Sequence, residues 1–224
     1  LKSYQSNNKH KQGGNEMPNW CNQYLTVQGD NAELNRLIKE TEKLDEEGKK
    51  FISFNGLIPC PQELTDTIEG SYGDEQKQKE LEEQQKKNLL RYGYKTWYDW
   101  ACVVYGTKWG ACDVYRNSEL NPDDAKIDYS FQSAWSPATG LLRGMSMLFP
   151  TLTFGVWFTE ESNAFAGWVI YKNGETVAEA EYEINVPTDE QYPDESDWRD
   201  AYEVWQDEFT GTLAIGLSEA MQSV

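Results

Sequence analysis

Lys126-Ile127-Asp128-Tyr129-Ser130-Phe131-Gln132-Ser133-Ala134-Trp135-Ser136-Pro137 decides how this chain is read. Ile127, Tyr129 and Phe131 alternate with Asp128, Ser130 and Gln132. That period of two gives a strand one buried and one wet face. After Trp135, Ser136 suits a helix N-cap and Pro137 suits the first helical position, where its missing N–H leaves no bond unmade. Leu141, Leu142, Met145 and Leu148 form the apolar stripe of a short helix. Phe149-Pro150 stops it. Leu152, Phe154, Val156 and Phe158 then share one face of a second strand, with Trp157 on the other. Glu160-Glu161-Ser162-Asn163 turns the chain, residues 165–171 form a third strand, and Asn173-Gly174 is a two-residue hairpin signal. On the return strand Thr176, Ala178, Ala180, Tyr182 and Ile184 point one way. Glu175, Glu179, Glu181 and Glu183 point the other, with Val177 among them, a pattern that blocks edge-to-edge pairing.

Working outward toward the N-terminus, residues 117–124 are a polar connection, and Gly106-Thr107-Lys108-Trp109-Gly110 is a glycine-punctuated link into a strand at residues 112–115. Trp97, Trp100, Ala101 and Val104 fall at helical spacing behind a Thr96 cap with Asp99, and Gly106 is the stop. Residues 62–91 change character to Glu, Gln and Lys, and an exposed helix inserted into the domain is expected over residues 74–90. Residues 23–27 form the first strand, ended by Gly29. Asp30 with Glu33 is a capping-box pattern, and Leu34, Leu37, Ile38 and Leu44 are the stripe of the following helix. Residues 51–54 are a short strand candidate and residues 55–61 a loop. Residues 1–16 are polar, carry the single histidine, His10, and are expected to be a disordered tail upstream of a natural start at Met17. Toward the C-terminus, residues 185–195 form a linker, and Ser196 or Asp197 caps a last helix. Its apolar face, Trp198, Ala201, Tyr202, Trp205 and Phe209, is expected to dock on the sheet, with a break at Gly211.

The domain organisation that follows is a tail at 1–16, an α+β domain at 17–184 with a helical insertion around 62–92, and an acidic linker and helix at 185–224. No run of 18 apolar residues exists. Cys21, Cys60, Cys102 and Cys112 form no CxxC pair, and with no secretory signal in the polar tail they read as free thiols. The charge is the strongest compositional signal, at −18 for the chain. From Asn173 to Val224 fourteen acids face one base, Arg199, so this quarter carries −13. Such a surface repels nucleic acid and anionic lipid and attracts a basic groove on another protein; it also serves solubility.

Several of these motifs combine. Met17-Pro18-Asn19-Trp20-Cys21-Asn22 opens a strand ending at Gly29, Gly106-Thr107-Lys108-Trp109 precedes Asp113-Val114, Ala134-Trp135-Ser136-Pro137 follows a strand, Phe149-Pro150 precedes the 152–158 segment, and Phe165-Ala166-Gly167 follows the acidic turn. Over roughly residues 17–171 this resembles the YubB-type family of phage- and plasmid-borne proteins, which carry a ferredoxin-like domain. The resemblance implies a βαββαβ-like antiparallel sheet with helices on one face, and a mobile-element protein acting in the bacterial cytoplasm. It implies no activity. The remaining features are then an inserted helix, an extra β-hairpin and an acidic C-terminal helix.

With His10 in the tail, the folded part has no histidine for a nucleophile pair or a metal site, and neither a Walker A sequence nor a Rossmann fingerprint occurs. No catalytic residue, cofactor or metal is assigned. Asp113, Asp128, Glu160 and Glu161 are the carboxylates that a metal-dependent hydrolase or a glycosidase pair would use if the fold gathered them. Trp20, Asn22, Lys108, Trp109, Asp113 and Trp135 lie at element ends or in loops, and form the ligand-binding candidate; the plainer reading makes the tryptophans caps on the core and pairs Lys108 with Asp113. Glu175, Glu179, Glu181, Glu183, Asp197, Asp200, Glu203, Asp207 and Glu208 form the partner-binding candidate. Three functions stay open. The first is an accessory protein that binds a basic host protein, mimicry of DNA charge against a nucleic-acid-handling or defence enzyme being one version. The second is a small-molecule- or RNA-binding ferredoxin-like module, and the third a carboxylate hydrolase. Direct nucleic-acid binding runs against the charge, no membrane contact is expected, and the oligomeric state is open.

Overall fold

The computed structural model describes residues 18–224; the tail expected at 1–16, with His10, and the start at Met17 lie outside the described residues. A six-stranded antiparallel sheet is built on β1 (Trp20–Gln28). After β1 come α1 (Asn31–Thr41), a small hairpin β2 (Glu42–Leu44) and β3 (Lys50–Ile52), then α2 (Gln62–Thr65), α3 (Glu75–Tyr92) and α4 (Trp97–Val104). They are followed by β4 (Cys112–Arg116), β5 (Lys126–Ala134), α5 (Thr139–Leu148), β6 (Thr153–Glu160), β7 (Ala166–Lys172), β8 (Glu175–Glu181) and α6 (Glu195–Met221). The strand order is β4-β5-β1-β6-β7-β8. Its first four strands, with α1 and α5 as crossovers, are the split βαβ arrangement, and the β7–β8 pair extends that sheet.

The alternation expected of residues 127–133 sets the layering. Ile127, Tyr129 and Phe131 are buried beside Leu25 and Val27 of β1 and Phe154 and Val156 of β6. Leu34 and Leu37 of α1 and Leu141, Leu142 and Met145 of α5 close over that face. Phe54 stands edge-on to Tyr129 at 5.2 Å and to Phe131 at 5.7 Å. Each such side chain, fully removed from water, stabilises the fold by about 1.5–3 kcal/mol. The hairpin at Asn173-Gly174 has both residues at positive φ, 50° and 80°, as a tight turn matched to strand twist requires. It is tied to α5, since Arg143 Nε donates to the Gly174 carbonyl at 2.6 Å and the Gly174 N–H to Ser146 Oγ at 2.9 Å.

Several local expectations are corrected. The first helix ends at Thr41; the chain then turns extended, so Leu44 lies in β2 and is 64 % exposed rather than on the helix stripe. Asp45 Oδ1 accepts from the Glu47 and Lys49 amides and closes the β2–β3 turn. Asp30 caps α1, but Glu33 pairs with Arg36 instead of reaching back to the cap. The Thr96 hydroxyl donates to Glu69 at 2.6 Å and does not cap α4. Ser136 donates to the Gly106 carbonyl at 2.8 Å, and α5 starts only at Thr139. Asp194, not Ser196 or Asp197, caps α6 by accepting from the Ser196 amide at 2.9 Å, and the helix runs unbroken through Gly211. The inserted α3 keeps Leu81 and Asn88 buried; Asn88 donates to Thr67 Oγ1 at 2.8 Å and to the Lys95 carbonyl at 2.9 Å, which pins the arm.

α6 covers the sheet face opposite α1 and α5. Leu213, Leu217 and Met221 are its buried residues, and Leu217 and Met221 pack with Ile170, Trp157 and Trp168. Gly155 permits this approach: a Cβ there would lie 2.9 Å from Leu217 Cδ1 and strike Met221. Among the described residues, no helix is long and apolar enough to cross a membrane.

Candidate functional site

Two regions carry the residues singled out by sequence. The first is the corner where the 106–110 loop meets the end of β5. Gly106 and Gly110 take left-handed φ of 80° and 70°, which lets the loop double back. Thr107 Oγ1 donates to the Ala134 carbonyl at 2.6 Å, and with the Ser136–Gly106 bond it laces this loop to the β5 end. From the other side Asn55 Nδ2 donates to the Trp109 and Ala111 carbonyls at 3.0 and 3.1 Å, while Asn55 Oδ1 accepts from the Ala111 amide at 3.0 Å. Asn55 therefore answers three backbone groups of the loop. Its partners lie more than fifty positions away, so nothing in the local sequence marks it.

This scaffold brings Trp20, Lys108, Trp109 and Trp135 together. Ring centroids lie 6.2 Å apart for Trp20–Trp109 and 5.6 Å apart for Trp109–Trp135. Lys108 Nζ sits 4.8 Å from the Trp109 ring, 5.1 Å from Trp135 and 5.8 Å from Tyr98, which sequence reasoning had not included. No ion pair with Asp113 is found among the described residues, so the expected Lys108–Asp113 pairing is replaced by cation–π contacts. Asp113 is exposed, at φ 48° in the irregular pairing between β4 and β5. Asn22 accepts from Gln132 at 2.8 Å on the opposite sheet face from the core. Trp135 adopts φ 62° with its amide donating to the Asn19 carbonyl at 2.9 Å, and is 41 % exposed.

The four carboxylates considered for hydrolysis do not converge. Asp128 lies opposite Thr26 and accepts from its hydroxyl at 2.7 Å, whereas Glu160 lies opposite Cys21. Five positions of β1 separate them, about 17 Å at strand rise. Glu160 is buried; one oxygen accepts from the Ser162 and Ala164 amides at 2.9 and 3.2 Å, and the other has no partner. It fastens the β6–β7 turn. Burial, with this carboxylate nearby, pushes the Cys21 thiol up to about 12. All four cysteines are free thiols, and among the described residues no three acids, cysteines or histidines gather in a metal-holding group.

The second region is acidic. Glu175, Glu179, Glu181 and Glu183 are exposed on or just after the edge strand β8. Register places Glu179 opposite Val169 and Glu181 opposite Gly167, on the α5 side of the sheet. Asp197, Asp200, Glu203, Asp207 and Glu208 are exposed on α6, on the other side. The expected alternation breaks at a register shift around Val177, so Thr176, opposite Tyr171, and Ala178, opposite Ile170, face opposite sides and Glu175, opposite Lys172, falls on the α6 side. Glu179 and Glu181 do not share a face with the α6 acids. Along α6, Trp198, Tyr202, Trp205 and Phe209 stack in a row with centroid spacings of 5.1, 5.5 and 5.2 Å. They are only half-buried; Trp198 Nε1 donates to the Pro187 carbonyl at 3.0 Å, and Asn163 donates to the Tyr202 hydroxyl at 3.2 Å. Beside this row a groove of about 500 Å³ is floored by Pro187, Tyr192, Ala201, Val204 and Trp205 and rimmed by Asp197, Asp200 and Glu208.

Comparison with curated proteins returns no match. Among solved structures, protein api92 from Yersinia pseudotuberculosis aligns with 77 % of this chain and all of its own at 11 % identity and a TM-score of 0.44. From the β4 bulge to the first turns of α6, residues 113–201, the chain matches the family model described as the ferredoxin-like domain in Api92-like protein, and it is this type of domain that the sheet is similar to.

Proposed function

We propose that the protein acts by binding a partner protein with a basic surface, through the N-terminal half of α6. The observation that carries this reading is the α6 groove: an apolar, aromatic floor with carboxylates at both ends. The floor supplies area that a basic, amphipathic segment can desolvate, and the rim supplies attraction and orientation. Only Arg199 offsets the acids of this half-helix, and it is engaged by Glu195 at 3.0 Å. Glu179 and Glu181 of β8 lie on the far side of the edge and act as long-range field, not as contacts. The YubB-type resemblance supplies the setting, an accessory protein of a phage or plasmid in the bacterial cytoplasm. There the partner is a host protein, and enzymes that handle nucleic acid present basic grooves of this kind.

The test is capture of partners from bacterial lysate by tagged wild-type protein and by a variant with Asp197, Asp200, Glu203, Asp207 and Glu208 converted to their amides. A stoichiometric basic partner held by the wild type at low salt, released at about 0.5 M salt and not held by the variant supports the reading. A partner that survives both the salt and the five substitutions overturns it, as does the absence of any stoichiometric partner.

A further inference from the structure

We propose that the Lys108–Trp135 corner binds a small ligand made of a flat ring carrying an anionic group, with the ring on the open face of Trp135 and the anion on the Lys108 ammonium. This site is separate from the α6 groove, and three observations meet in it.

The first is the backbone of Trp135. A residue at φ 62° is in the left-handed region, where glycine sits freely and a bulky side chain is strained by about 1–2 kcal/mol. The turn alone would be met better by glycine. Burial does not explain the indole either, since 41 % of the residue remains exposed. What the strained conformation achieves is placement: one indole is held beside Trp109 and Lys108 with much of its surface open to solvent. Strain of this kind persists where surrounding structure over-determines it, and here the Asn19 carbonyl and the Thr107 and Ser136 bonds do so.

The second observation is the charge of Lys108. In a chain of 38 acids and 20 bases, its ammonium has no carboxylate partner among the described residues. Its neighbours are ring faces, which attract the charge but accept no conventional hydrogen bond. An ammonium carries three donors, so the site offers a compact anion both charge and hydrogen bonds.

The third is rigidity. Asn55 from one side and the Thr107 and Ser136 hydroxyls from the other fix the loop backbone, so the ring platform and the cation are held in place before a ligand arrives. The ligand class follows from size and charge. A net charge of −18 opposes a polyanionic strand, while one small anion needs only the local cation. A ring bearing a phosphate and a ring bearing a carboxylate share the required chemistry.

The test is calorimetric titration of the full chain with adenosine 5′-monophosphate and, separately, with indole-3-acetate; adenosine and inorganic phosphate serve as the two halves of the first probe. Saturable binding of at least one ring-plus-anion probe is expected. For the nucleotide, each half alone should bind at least about tenfold more weakly. Which probe binds tells a phosphate-bearing purine nucleoside from a carboxylate-bearing indole. Lys108→Gln and Trp135→Gly should each weaken binding at least about tenfold, and Lys108→Arg should retain most of it. Trp135→Gly relieves the left-handed strain, so an unaltered or raised melting temperature shows that lost binding is not lost folding. The five-amide α6 variant should bind the probe as the wild type does. Absence of saturable binding by both probes, or equal affinity in Trp135→Gly, overturns the proposal.

Discussion

Residues 195–209 and residues 213–221 belong to one unbroken helix but meet the molecule in opposite ways. The C-terminal half has a single acid, Glu219, and buries Leu213, Leu217 and Met221, the last two against Gly155 and Ile170. The N-terminal half carries six acids, Glu195, Asp197, Asp200, Glu203, Asp207 and Glu208, and leaves its aromatic row half-buried and Val204 59 % exposed. One half therefore anchors and the other is offered to solvent. The lesson is that aromatic content did not identify the docking half. Four large rings stack mainly on one another, while smaller aliphatic residues opposite a glycine make the dry contact. Close approach of backbone to sheet, not side-chain size, decides which half is fixed.

Four experiments would break or sharpen this contrast. Leu217→Ala removes the anchor's centre and should lower stability by about 2–5 kcal/mol in denaturant unfolding; a loss below about 1 kcal/mol would mean that the C-terminal half is not the anchor. Asp194→Ala removes the cap of the open half and should cost about 1 kcal/mol, seen as faster amide exchange confined to the first turns of α6. The same cap responds to pH. Hydrogen bonds from Ser196 hold the Asp194 carboxyl below its ordinary range, so its contribution is present above the unfolded carboxyl value near 4 and is lost as pH falls through the lower folded value. Gly211→Ala, at the junction of the halves, has open space for its methyl group and should stabilise by about 0.5–1 kcal/mol through helix propensity alone. Conversion of the five α6 acids to amides should change stability by less than about 0.5 kcal/mol while abolishing partner capture. A larger stability change would make those acids structural.

How much was legible in the sequence depended on the range of the interaction. The β5 alternation, the Asn173-Gly174 turn and the α3 arm are written in neighbouring residues, and each appears where local periodicity puts it. Ser136 before Pro137 looks locally like a cap, yet its hydroxyl donates to the Gly106 carbonyl, thirty positions back. Ser196 or Asp197 fits the start of α6 locally, yet the Asp194 carboxylate takes the cap and even accepts the Ser196 hydroxyl, at 2.6 Å. At the candidate ligand corner Trp20, Lys108, Trp109 and Trp135 were named from loop position, and they do converge. Asn22 and Asp113 fall outside the cluster because strand register and a bulge, neither readable from composition, aim them elsewhere. Tyr98 joins it from α4, where helical spacing singles out Trp97 and Trp100 instead.

The sheet has a further consequence, one of time. Among the described strands, the central β1 comes earliest in chain order, but its partners come late: Gln23 waits for Ser133, 110 residues on, and Cys21 for Glu160. At a synthesis rate of about 5–20 residues per second, β1 is exposed for several seconds before either neighbour exists. Its inward-facing Leu25 and Val27 must be kept from other partners throughout that interval. Refolding in vitro should accordingly fall in the slow range of long-range β pairing, milliseconds to seconds. Removing the α3 arm would speed it little, because closure entropy grows only with the logarithm of the loop, about 0.6 kcal/mol per doubling.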